Sequence, residues 1–111
     1  MAKLSTMTTK GLSGNSYNFF VYPIDQSFRD VGAIYIVTRR YQKADKSGFA
    51  HEFIYIGETG DLSTRFDDHH KADCFKSHNA NCICTLVEED QDNRLAIEDD
   101  LVKRHDPPCN G

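Results

Sequence analysis

Tyr55, Arg65 and His69 all fall within FIYIGETGDLSTRFDDHH, the stretch from Phe53 to His70. A guanidinium fork grips an anion at two points, an imidazole holds or moves a proton near neutral pH, and a phenol both donates and accepts. Arg65 and His69 are four residues apart, one helical turn, so on a helix both look out in the same direction. The spacing equally suits a solvated helix face beside a core tyrosine. Glu98 is the other residue whose position raises a chemical question. Leu95, Leu101 and Val102 form an apolar stripe at helical spacing, and Glu98 lies three residues after Leu95 and four before Val102. Asp99 and Asp100 point away. A carboxylate on such a stripe has to be paired, protonated or bound to a metal, because burying an unpaired charge is costly. A Glu at the stripe's edge that reaches water, Arg65 or Lys103 satisfies the same requirement.

The elements that must hold these residues follow from composition and periodicity. Residues 1–16 are rich in Ser, Thr, Gly and Lys and read as a flexible arm, so the domain is expected over 17–111. YNFFVYP has the aromatic and β-branched content of a strand closed by Pro23. VGAIYIVTRR, residues 31–40, is a strand with Ala33, Tyr35 and Val37 on one face and Ile34, Ile36 and Thr38 on the other. Both faces are largely apolar, which predicts a position inside a sheet. YQKADKSGFAHE, residues 41–52, reads as a long hairpin connection to the strand FIYIG. Asp61 or Ser63 then offers an N-cap for a helix running to about Lys71, followed by a loop over DCFKSHNAN. CICTLVEE, residues 82–89, is a further core strand, and the helix from Gln91 to about His105 is stopped by Pro107 and Pro108. The fold class expected is α+β, with a small, mainly antiparallel three-stranded central sheet, flanking helices and an N-terminal strand.

At 111 residues, with 39% apolar and 27% charged residues, the chain has the composition of one soluble domain with one modest core. A formal charge of −4 argues against general adhesion to nucleic acid or anionic membrane, so any basic site has to be local. The polar N-terminus lacks the apolar core of a secretory signal and no run approaches a membrane span, which predicts a cytoplasmic protein with its four cysteines reduced. Cys74, His78, Cys82 and Cys84 have the residue types for zinc, with Cys109 and His105 at the other end of the chain. They lack the paired short knuckles of common structural sites, and alternation places Cys82 and Cys84 in a core strand as small apolar residues.

Taken in order, these pieces resemble the GIY-YIG nuclease family. Its first signature, Gly-Ile-Tyr on a strand, appears as Ala33-Ile34-Tyr35 with Gly32 just before, and its second appears unaltered as Tyr55-Ile56-Gly57. The arginine ten residues after the second tyrosine matches Arg65, and the histidine four later matches His69. The helical glutamate matches Glu98, and an asparagine beyond a proline-containing turn matches Asn110, so the likeness spans residues 31–110.

The resemblance implies a metal-dependent endonuclease acting on DNA, linear or branched, with one Mg²⁺ or Mn²⁺ and low intrinsic sequence specificity. Glu98 would anchor the ion, which needs only one carboxylate when waters and substrate phosphate complete its shell. Arg65 would hold the phosphate, Tyr35 would take a proton from water, Tyr55 and His69 would position water and phosphate with His69 sharing the base role, and Asn110 would anchor the helix end. Arg39, Arg40 and Lys71 are candidates for the nucleic-acid backbone; Arg39 and Arg40 are consecutive, so only one can face it from a strand. His70 reads as solvent-facing. The departures are Ala33 in place of the first glycine, a longer connection between the signature strands, and Glu58 directly after the second signature. With Asp61, Asp67 and Asp68, Glu58 predicts an acidic rim that weakens phosphate binding or admits a second cation. Such an acidic module points to a protein partner or a homodimer that completes the DNA surface. The competing class is a binding or regulatory module that keeps the fold without turnover.

Overall fold

The computed structural model describes residues 3–67 and 69–111; Asp68, assigned above to the acidic rim, lies outside them. Five strands, β1 (Ser5–Lys10), β2 (Ser16–Pro23), β3 (Ala33–Gln42), β4 (Phe49–Thr59) and β5 (Cys82–Val87), build one sheet. Their order is β1-β2-β5-β3-β4, and every neighbouring pair is antiparallel. Two helices, α1 (Ala72–Ser77) and α2 (Gln91–His105), and a 3₁₀ turn over Pro108–Asn110 complete an α+β fold. Five strands replace the three expected. Among the described residues no helix is long and apolar enough to cross a membrane.

Alternation along β3 divides the interior as its sequence requires. Ala33, Tyr35 and Val37 join Ile54, Tyr55, Leu62, Phe75 and Ile83 on one face. Ile34 and Ile36 join Phe19, Val21, Ile56 and Leu101 of α2 on the other. Each fully buried Ile or Leu contributes about 2 kcal/mol. The departure at Ala33 is accommodated, since its methyl is fully buried within the first cluster.

The remaining differences from expectation have local causes. The arm expected over residues 1–16 contains β1, whose side chains alternate between half-buried and exposed. The turn after it docks on α2 through Asp100, which accepts from Ser13 N at 2.8 Å and from the Tyr17 hydroxyl at 2.7 Å. Asp100, expected to point away from the apolar stripe, is held by this turn. Half of the connection expected over 41–52 is strand, with residues 43–48 left between β3 and β4.

The helix expected from Asp61 to Lys71 does not form. Asp61 accepts from its neighbour Ser63 through both N (3.0 Å) and Oγ (2.6 Å), a local bond that competes with helix. Turns follow over residues 62–67, and the helix begins at Ala72, where a loop was expected. Asp90 caps α2 through Asp92 N at 2.9 Å, and the left-handed Asp106 ends it before the prolines.

Candidate functional site

Tyr35 projects from β3 with no exposed surface, and its hydroxyl accepts a hydrogen bond from Arg65 Nε at 3.0 Å. His69 Nε2 lies 2.8 Å from the same oxygen. The Lys71 amide donates to His69 Nδ1 at 3.0 Å, so the hydrogen-bond network puts the proton of the neutral ring on Nε2. The Tyr35 hydroxyl thus receives two donors, and its own proton is left for a third group. Arg65 lies on a turn and His69 in the irregular stretch before α1, not on one helix face, yet they converge on one atom.

Burial, followed by the charges of Arg65, His70 and Lys71, pulls His69 down to about 4, so the ring is neutral at pH 7. Burial and the neighbouring Tyr55 push Tyr35 well above the ordinary tyrosine value, against the pull of Arg65. Both His69 nitrogens are committed, which makes it a positioning residue unless one bond opens. Tyr55 closes the arrangement from β4, its ring centroid 6.0 Å from Tyr35 and 5.3 Å from His69. Phe66 meets the Tyr35 ring edge-on at 5.0 Å. Its place in the site was not anticipated; a large apolar ring next to Arg65 in an otherwise polar turn was the available signal.

The glycine of Tyr55-Ile56-Gly57 has a steric reason. A Cβ at Gly57 would lie 2.5 Å from the Tyr35 hydroxyl and 2.8 Å from the Tyr55 ring. Only a residue without a side chain lets Tyr35 cross β4 here. Gly32 is constrained on the opposite side, where a Cβ would run into the Arg94 guanidinium and approach the Glu88 carbonyl to 2.9 Å. The close approach at Gly32 is to the protein's own arginine.

Glu98 comes to the site by a different route. Its helix packs on the Ile34 and Ile36 face, opposite the face that carries Tyr35. The stripe is Arg94, Glu98, Leu101 and Val102, because Leu95 is 45% exposed and Arg94 is buried. Burial and the nearby Glu58 raise the Glu98 carboxyl, while the Glu58 backbone amide and Arg65 act against them. Arg65 therefore exerts charge on both Tyr35 and Glu98, and the two halves meet around the outer edge of β4. Glu58 is itself neutralised, since Arg94 Nε donates to it at 3.0 Å. The rim is less acidic than the sequence suggested. Arg94, four residues before Glu98, was legible only as a cation at helical spacing on the same face. Lys103 pairs with Asp99 at 2.9 Å and not with Glu98.

Asn110 grips the middle of the second signature. Its amide nitrogen donates to Ile56 O at 2.8 Å, and its oxygen accepts from Ile56 N at 2.9 Å. Its role is to hold β4, as an anchoring residue.

Arg39 and Arg40 stand apart from this group. They lie four and five residues beyond Tyr35, roughly 13–17 Å along an extended strand. Arg39 pairs with Glu52 at 3.4 Å, and the Arg40 guanidinium sits 3.7 Å over the Phe49 ring. Lys71 stays near His69 through its backbone amide. His70 is exposed and stacks on His69 at 4.7 Å. A hollow of about 770 Å³ between the β1–β2 turn and α2, lined by Ser13, Tyr17, Ile97 and Asp100, contains none of the matched residues.

The cysteines differ from expectation. Cys74 and Cys109 form a disulfide across 35 residues, whereas Cys82 and Cys84 are free and buried in β5. Among the described residues, Cys74, His78 and Cys109 of the zinc candidates share a donor group, and Cys82, Cys84 and His105 are not in it.

Compared with protein-family models, with curated proteins and with solved structures, the chain matches none.

Proposed function

We propose that the chain is a metal-dependent endonuclease of the GIY-YIG type, hydrolysing phosphodiester bonds in DNA with low intrinsic sequence specificity. The observation that carries this reading is the convergence of Arg65 and His69 on the Tyr35 hydroxyl, beside Tyr55 and within electrostatic reach of Glu98. With Nε on Tyr35, the terminal nitrogens of Arg65 are the part of the fork offered to a phosphate oxygen. Tyr35 receives two hydrogen bonds and favours protonation at its raised value, so it holds or relays a proton and does not act as a free phenolate.

Glu98 fits a single Mg²⁺ or Mn²⁺, because a half-buried carboxyl next to Glu58 is energetically relieved by a cation. Bound there, the ion would supply charge stabilisation to the phosphate and acidify a coordinated water. The formal charge of −4 favours a protein partner or a second copy to complete the DNA surface. The complete burial of Tyr35 favours a second reading, a nucleic-acid-binding or regulatory module without turnover.

The test is nicking of supercoiled plasmid and cleavage of branched DNA at low salt with Mg²⁺ or Mn²⁺. Wild type is expected to cut, and Glu98→Ala and Arg65→Ala are expected to lose at least about a hundredfold in rate while remaining folded. Retarded DNA without cleavage under any of these conditions selects the binding module. Neither cleavage nor retardation removes both readings.

A further inference from the structure

The group formed by Cys74, His78 and Cys109 is independent of the nuclease reading. Cys74 and His78 are four residues apart, one helical turn, at the body and C-cap of α1, so their side chains lie on the same side. Cys109 approaches from the 3₁₀ turn at the other end of the chain. One donor atom from each, two sulfurs and one imidazole nitrogen, lies within 4.8 Å of the others. Ligands of a tetrahedral zinc ion, with Zn–S about 2.3 Å and Zn–N about 2.0 Å, stand roughly 3.5–3.8 Å apart. Reaching that spacing takes only small movements once the sulfur–sulfur bond is open. Cys109 is buried, whereas Cys74 and His78 are half-buried, so the group has a closed side and an open one.

We propose that Cys74, His78 and Cys109 form a three-ligand site for a thiophilic divalent cation, Zn²⁺ in the first instance, whenever the Cys74–Cys109 disulfide is reduced. The disulfide and the metal are then alternative crosslinks between α1 and the C-terminal turn. A dithiol reductant opens the bond: one of its thiolates attacks the more accessible Cys74 sulfur, and Cys109 leaves as thiolate. The second thiol of the reductant then displaces Cys74 and closes its own disulfide. Two electrons and two protons pass to the protein sulfurs. Zn²⁺ displaces the two thiol protons, and His78 contributes a lone pair from an unprotonated nitrogen. The fourth position faces solvent and takes water. Cys82 and Cys84 stay outside the site because they belong to the cluster on the other face of the sheet, whereas Cys74 and Cys109 pack together on the Tyr35 face.

The experiment titrates Co²⁺ into full-length protein reduced anaerobically and freed of reductant, followed by displacement with Zn²⁺. The expected result is one equivalent of Co²⁺ bound with a thiolate charge-transfer band and the visible spectrum of a tetrahedral site, absent in oxidised protein and abolished by Zn²⁺. Cys74→Ser and Cys109→Ser should lose the band, and His78→Ala should weaken binding at least tenfold. Cys84→Ala should keep both band and affinity. Because a cysteine variant can misfold, alkylation of reduced wild type read by mass spectrometry gives a second measure. Zn²⁺ should shield Cys74 and Cys109 at least tenfold. No charge-transfer band in reduced wild type, a band indifferent to His78→Ala, or shielding that does not reach Cys74 and Cys109 overturns the proposal.

Discussion

The hydroxyl of Tyr35 has two donors and no exposed surface, and each surrounding residue is constrained by that fact. His69 is the most pH-sensitive of them. Its folded value of about 4 lies below the 6.5 of a free histidine, so between those values the unfolded chain holds a proton that the folded chain does not. The stability from neutral His69 is fully present above pH 6.5 and is lost as pH falls towards 4, on the order of 3 kcal/mol. Glu98 works in the opposite sense, because its raised value makes the fold take up a proton more readily than the unfolded chain. Denaturant titrations of wild type and His69→Gln across this range, with Glu98 common to both, isolate the histidine. The wild-type loss on acidification is expected to be the steeper. Gly57→Ala makes a separate prediction: with a Cβ 2.5 Å from the Tyr35 hydroxyl, the ring or β4 has to move, at a cost of about 1–3 kcal/mol. An unchanged denaturation midpoint would mean that the crossing is looser than its geometry.

The elements differ in how much of themselves they declare. β3 was legible from its alternation through Ala33, Tyr35 and Val37, and α2 from its length and the proline pair that follows it. β1 was not, since STMTTK carries no run of large apolar residues and gains its partners from β2. The helix between Arg65 and the cysteines was misplaced because Asp61 satisfies Ser63 locally, a competition that propensity alone does not resolve. Tyr55, Arg65 and His69 all meet Tyr35, whereas Glu98 comes from a helix on the other face of the sheet and Asn110 bonds to Ile56. Arg94 and Phe66 escaped notice because their roles are contacts and not motif positions. The disulfide was invisible to compartment reasoning. It joins α1 to the C-terminal turn across 35 residues, and closing a loop of that size contributes about 3–4 kcal/mol in the chain-entropy treatment. Reduction in the presence of a metal chelator should lower the urea midpoint accordingly. An equal midpoint would show that packing at Cys109 alone holds the turn.

At the scale of the whole molecule, one five-stranded sheet with coverage on both faces leaves two outer strands, β1 and β4. The Asn110 amide presents a donor and an acceptor to Ile56, the same pair of groups a neighbouring strand would offer. One side chain thus occupies the place where a second molecule would begin to add. Ile56 is flanked by Tyr55 and Gly57, so any chain that docked there would also settle against the proposed site. Asn110→Ala should therefore have two effects: a loss of about 1–3 kcal/mol from the unpaired Ile56 groups, and concentration-dependent self-association visible by light scattering or sedimentation. A variant that is destabilised yet strictly monomeric would limit Asn110 to anchoring. Self-association relieved by a short peptide of alternating residues would identify β4 as the seam. On that expectation Asn110, beyond anchoring β4, keeps one copy of the protein from extending the sheet of another.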